Sequence, residues 1–138
     1  KLGLTDCVSW VHGVSDERIV EVYSEAEVAV VPSLYEGFSL PAIEAMSCGV
    51  PLVTTTGGAL PEVAGSHGET CFQVPPGDSE ALAAMLGTVL DQPDVRDRVG
   101  ANGRQRVIDQ WSWHHTAEQT VDQYRALLNR QTPRTGSC

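Results

Sequence analysis

Two carboxylates with seven residues between them, Glu36 and Glu44, frame a segment that reads as the start of a helix. An apolar, β-branched run over residues 28–31 has the length of a buried strand, and a loop holding Pro32, Ser33, Gly37 and Ser39 follows it. Pro41 fits the first helical turn, Ser39 or Leu40 fits the capping position, and Gly49 closes the helix where a left-handed conformation is easiest. The backbone N–H groups from about Phe38 to Ala42 then have no intrahelical acceptor and face the mouth of the loop, which is an anion site in outline. Glu36 falls on that loop. Glu44 falls about one turn inside the helix, the only charge in an otherwise apolar stretch. Spacing alone leaves two readings open: a pair of acceptors framing a polar ligand, or a loop glutamate and a helix glutamate that simply face water.

The elements needed to hold such a site are legible around it. Residues 7–11 (CVSWV) alternate between Gly3 and Gly13 and read as a first strand. Ser15, Asp16 and Glu17 open a helix with Ile19, Val20, Val22 and Tyr23 at helical spacing, and residues 26–31 form a second strand. Residues 51–55 are a third strand, followed by Thr56-Gly57-Gly58 and a short helical turn over 60–64. The glycine pair reads as a turn former rather than as a ligand contact. Residues 70–74 are a fourth strand, ended by Pro75-Pro76-Gly77-Asp78. Helices are then expected over 79–90, 93 to about 110, and roughly 112–129, with disorder over 131–138. Strand alternating with helix is the pattern of an α/β, Rossmann-like, doubly wound parallel sheet, here with helices gathered at the C-terminal side. The arginines at 96, 98, 104 and 106 are expected along a solvated helix face.

Composition removes several classes. The 138 residues suffice for one domain, and 41% hydrophobic with 20% charged content is that of a globular chain. Nine basic against eighteen acidic residues, a net charge of −9, opposes nucleic-acid binding, which draws on clustered Lys and Arg. No apolar run approaches the roughly 20 residues that span a bilayer. Cys7, Cys48, Cys71 and Cys138 form no C-x-x-C pair. The first three sit in apolar surroundings and are expected as buried thiols of a reducing, cytoplasmic compartment, without a disulfide. Neither G-x-S-x-G, G-x-G-x-x-G nor a P-loop occurs, so hydrolase, dehydrogenase and NTPase readings fall away. His12 reads as a loop histidine and adjacent His114 and His115 as a poor metal pair. Glu62 reads as a local cap or partner.

The frame E-G-F-S-L-P-A-I-E-A-M-S-C-G-V-P-L-V, with glutamates at 36 and 44, resembles the Glu-x7-Glu signature of retaining glycosyltransferases of the two-Rossmann-domain (GT-B) class, the glycosyl transferases group 1 family. The likeness extends over VSWVHGVSDERIVEVYSEAEVAVVPS before it, and over TTTGGALPEVAG and the WSW of Trp111 to Trp113 after it. What the resemblance implies is a nucleotide-diphosphate-sugar donor and no metal or other cofactor. Glu36 would bind hydroxyls of the transferred sugar near the reaction centre, and Glu44 would hold both ribose hydroxyls. The N–H groups of Gly37, Phe38, Ser39 and Leu40 would meet the sugar and the diphosphate, and backbone near Gly13 and Val14 would line the base. Trp111 and Trp113 would anchor the last helix.

Two departures qualify that expectation. No Lys or Arg occurs between Arg18 and Arg96, so helix amides alone would face the diphosphate. The family's Arg and Lys come from a strand-loop unit expected upstream of Lys1. The chain is therefore expected to be part, over residues 1–130, of a C-terminal donor-binding domain, inactive alone and without its N-terminal acceptor-binding domain. In the usual doubly wound order two missing strands would separate residues 7–11 from 26–31, so the open edge is expected to be shielded by self-association or by rearrangement of the first strand. The parent is expected in the cytoplasm or at the cytoplasmic face of a membrane, transferring a hexose to an acceptor hydroxyl. A catalytically silent nucleotide-binding or interaction module is the alternative, and a sugar-nucleotide epimerase lacks its acid and base groups here.

Overall fold

The computed structural model describes residues 3–131. Its order is a single 3-10 turn at Thr5–Cys7, then α1 (Asp16–Glu25), β1 (Ala29–Val31), α2 (Leu40–Ser47), β2 (Leu52–Thr55), α3 (Leu60–Ala64), β3 (Phe72–Val74), α4 (Ser79–Leu90), α5 (Pro93–Gln110) and α6 (Trp113–Gln131). The strands form one parallel sheet in the order β1-β2-β3, with Ala29 opposite Leu52 and Val53 opposite Phe72. Parallel neighbours need a crossover, and α2 and α3 supply it.

The central strand β2 is buried along its whole length. Side chains alternate across a strand, so Leu52 and Val53 enter separate cores on the two faces of the sheet. One core joins Ala29, Val31 and Leu52 to Ala42, Ala45 and Met46 of α2, to α3, and to Val107 of α5. The other joins Val53 and Phe72 to Val89 of α4 and Val99 of α5. Helices thus cover both faces, as the Rossmann-like reading requires. β1 buries Ala29 and Val31 but exposes Val30, and its outer edge has no ladder partner among the described residues.

Local chemistry explains the helix limits. The Ser15 hydroxyl accepts from Arg18 N at the start of α1, Asp78 accepts from Ala81 N at 2.8 Å at the start of α4, and Pro93 opens α5. The expected strand over 7–11 does not form. Beyond the turn at Thr5–Cys7 those residues are irregular and exposed, because alternation yields a strand only where a neighbour takes up its N–H and C=O groups. Cys7 is accordingly exposed rather than buried, Cys48 is half-buried and Cys71 is buried, all three as free thiols.

The arginines of α5 are a solvated face only in part: Arg98 and Arg104 are exposed, Arg96 and Arg106 are half-buried, and all four are tied to carbonyls of other segments. Arg96 donates to the Leu90 carbonyl and pairs with Glu27, and Arg98 donates to the Gly68 carbonyl. Arg104 donates to the Ser47 carbonyl, and Arg106 to those of Val63 and Glu62. Carbonyls at element ends lack intrahelical donors, and a guanidinium fork satisfies them while its stem packs across the gap. The expectation of disorder over 131–138 lies outside the described residues, apart from Gln131, which ends α6. Among the described residues no helix is long and apolar enough to cross a membrane.

Candidate functional site

The loop between β1 and α2 leaves the carboxyl end of the sheet, the place where open α/β sheets take their ligands. It is held in shape by an unusually close backbone contact. The turn after β2 runs against it so tightly that a Cβ on Gly57 would lie 2.3 Å from the Leu34 carbonyl oxygen. A Cβ on Gly58, at φ +64°, would lie 2.2 Å from that of Glu36. Ala59 N donates to the Glu36 carbonyl at 2.8 Å, and the Thr55 hydroxyl donates to the Ser33 carbonyl. The glycine pair therefore does make a turn, and it also lets that turn dock on the loop that carries Glu36.

Glu36 itself is half-buried, and the Ser33 hydroxyl donates to its Oε1 at 2.7 Å, which orients the carboxylate. Ser39 is the N-cap of α2, with extended backbone, Leu40 and Pro41 follow as the first helical residues, and Gly49 stands beyond the last turn at φ +77°. The Ser39 side chain makes no capping bond. Its hydroxyl is buried and unpartnered among the described residues. Nor does any described residue accept from the N–H groups of Gly37, Phe38, Ser39 or Leu40, so these donors are free at the start of the helix. Phe38 packs edge-on against Trp111, ring centres 5.3 Å apart, and Trp111 Nε1 donates to the Val63 carbonyl. Trp111 is thus an anchor as expected. Trp113, two residues on at the start of α6, is not: it is 89% exposed.

Glu44 is exposed on the side of α2 that faces α1. Between α1, α2 and residues 11–14 lies a groove of about 520 Å³, and Glu44 lines it together with His12, Gly13, Val14 and Tyr23. Gly13 adopts φ +61°, which turns the chain at the groove's rim. His12 stacks parallel to Trp10 at 6.4 Å between ring centres. The expected site residues thus fall in two adjoining groups: Glu36 and the free amides on the loop, and Glu44 with Gly13 and Val14 around the groove, with α2 carrying both.

Two contributors were missed from sequence. Ser33, three residues before Glu36, has the spacing of a local hydroxyl-carboxylate bond. Tyr23, on an otherwise aliphatic stripe of α1, carries a hydroxyl that needs a partner, and donates to the Pro41 carbonyl at 3.4 Å. Burial first, then the Glu44 charge, hold its phenol above the ordinary range. Elsewhere, His114 pairs with Glu118 and His115 with Gln119, and Glu62 offers its carbonyl to Arg106. Among the described residues no cluster of three His, Cys, Asp or Glu could hold a metal ion.

A parallel Rossmann-like sheet with an open helix N-terminus and a groove holding Glu44 beside it has the architecture of α/β domains that take ligands at the carboxyl end of the sheet. The family model described as Glycosyl transferases group 1 matches residues 1–106, and the chain belongs to that family. It is 48% identical over 130 residues to an MMP alpha-(1->4)-mannosyltransferase of Mycolicibacterium hassiacum, covering 94% of this chain and 32% of that protein. It is 39% identical over 114 residues to O-antigen chain mannosyltransferase B of Escherichia coli, covering 83% of this chain and 29% of that one. Among solved structures, sucrose-phosphate synthase of Thermosynechococcus elongatus superposes with a TM-score of 0.83 at 39% identity, over 93% of this chain and 32% of that one. The chain spans about a third of the length of the curated relatives it matches, and its fold is the Rossmann-like fold of GT-B glycosyltransferases.

Proposed function

We propose that residues 1–130 are part of the donor-binding domain of a retaining glycosyltransferase, which moves a hexose from a nucleotide-diphosphate sugar to an acceptor hydroxyl without a metal. The observation that carries this reading is the arrangement around α2: four unpartnered amides at its start, and Glu44 one turn along in a groove with Gly13 and Val14. A diphosphate matches the amides and the positive end of the helix dipole. A vicinal diol matches a carboxylate that accepts through both oxygens, and a flat base matches a groove walled by backbone and aliphatic side chains.

On this reading Glu44 takes both ribose hydroxyls, the backbone at Gly13 and Val14 lines the base, and the amides of Gly37 to Leu40 meet the diphosphate and sugar. Glu36, steadied by Ser33, binds sugar hydroxyls beside the anomeric carbon and stabilises positive charge as the glycosidic bond to phosphate breaks. Departure and attack on one face retain the configuration, with the leaving phosphate accepting the acceptor's proton. The α5 arginines are engaged with carbonyls of other elements, and Arg104 holds the far end of α2. Cations for the diphosphate would come from outside this chain, as would the acceptor-binding domain, so the chain alone is expected to be inactive.

Calorimetric titration of the full-length protein with UDP, GDP and ADP tests the site. One nucleotide is expected to bind, with Glu44→Ala weakening it by about 10- to 100-fold, the loss of a charge-assisted pair of hydrogen bonds. Binding of none, or equal binding by the variant, rejects the donor site and leaves a silent interaction module.

A further inference from the structure

An exposed glutamate has three rotatable bonds and samples many directions, whereas accepting two adjacent hydroxyls demands one direction. Something must narrow the choice for Glu44, and the side chain placed to do so is Tyr23. It is the half-buried aromatic of α1 that packs on the α2 core, on a helix that buries no residue completely. Its hydroxyl reaches across to the first turn of α2, 3.4 Å from the Pro41 carbonyl. Pro41 and Glu44 are three residues apart and share a face of α2, so the hydroxyl stands beside the root of the glutamate. Both side chains line the same groove with Gly13 and Val14.

We infer that Tyr23 is a positioning residue for Glu44, its hydroxyl steering the carboxylate into the groove to receive the vicinal diol of a nucleotide ribose. The inference rests on the donor-site reading and names a residue that reading does not use. Three features support it. The bond to Pro41 is long and engages a carbonyl already inside a helix, so the hydroxyl gives up little in turning to a carboxylate. Burial first, and the Glu44 charge adding to it, raise the phenol's pKa, which places the carboxylate near enough to feel the hydroxyl. A phenol so shifted stays protonated throughout the neutral range, so it serves as a donor and never as a competing anion.

The test is a double-mutant cycle on the full-length protein, read by calorimetric titration with the nucleoside diphosphate it binds (UDP, GDP or ADP) and with the 2′,3′-dideoxy form of that nucleotide. Tyr23→Phe keeps the ring and its packing. It is expected to weaken the ribonucleotide about 3- to 10-fold, the range of one neutral hydrogen bond, and to leave the dideoxy form within about twofold. In a Glu44→Ala background, Tyr23→Phe is expected to have no further effect. Equal weakening of both nucleotides by Tyr23→Phe would mark a purely structural role and overturn the inference, as would additive losses in the double variant. If Glu44→Ala weakens the ribonucleotide and Tyr23→Phe does not, this inference alone fails. If Glu44→Ala itself has no effect, the donor-site reading fails and takes the inference with it.

Discussion

The two walls of the groove are held in different ways. On one side, α2 buries Ala42, Ala45 and Met46 completely, its leading loop is pressed against the Gly57-Gly58 turn, and Arg104 ties its last carbonyl, that of Ser47, to α5. On the other, residues 8–14 are exposed and make no ladder, and α1 buries no residue completely, touching the core through half-buried Tyr23. The groups that the proposed donor site turns toward its ligand, the free amides and both glutamates, are all on the packed wall, and Tyr23 reaches across to them from the other. Apart from His12 and Tyr23, the loose wall offers the proposed site backbone and aliphatic surface, which can adjust to a flat ligand.

Two glycines with almost the same backbone conformation set the walls against each other most sharply. Gly58 at φ +64° has the Glu36 carbonyl 2.2 Å from where a Cβ would stand, while Gly13 at φ +61° has nothing within 4 Å. Gly58→Ala is expected to cost about 3–5 kcal/mol, the left-handed penalty plus displacement of the site loop, and Gly13→Ala only about 1 kcal/mol. Urea-unfolding midpoints of the two variants measure the difference. Equal losses would mean that the groove rim is as tightly built as the loop, and the contrast between the walls would go.

Cys71 extends the comparison to pH. Cys71 lies in the α2 core, where burial pushes its thiol up to about 11. The folded state keeps the Cys71 proton, while the unfolded chain releases it near the ordinary thiol value. Between those two values the native state holds more protons than the unfolded one, so stability falls as pH rises. A loss of about 1–2 kcal/mol is expected by pH 10, and absent in Cys71→Ala. The same slope persisting in Cys71→Ala would mean that the packed wall does not hold the shifted thiol.

Helix limits were readable because caps are local. Leu60–Ala64, Ser79–Leu90 and Pro93–Gln110 begin at a proline or behind Asp78, signals that lie within a few residues of the boundary they set. The strand over 7–11 was misread because alternation describes side chains and says nothing of a neighbour. The partners of the α5 arginines were missed for a related reason: the carbonyls they hold lie 6 to 57 residues away in the chain, and spacing does not show which of them the fold brings near. The site divides along the same line. Glu36, Glu44 and the open helix start were legible from one contiguous frame, whereas the docking of Gly58 on Glu36 and of Tyr23 on Pro41 joins residues that only the fold makes adjacent.

The smallest expected effect is the finest test of the loose wall. Val20 lies about half exposed on α1, beside Ile43 and Glu44 across a shallow cleft. Truncation to alanine removes two methyl groups that are already largely in water, and alanine is the better helix former, so the two changes nearly cancel. Val20→Ala is therefore expected to shift stability by no more than about 0.5 kcal/mol. Amide exchange should agree, the N–H groups of α1 opening well before those of α2. A loss of about 2 kcal/mol or more at Val20, with equal protection of the two helices, would mean that α1 is clamped as firmly as α2. The groove would then be a rigid slot, and its selectivity would have to come from shape on both sides rather than from the aimed groups of one.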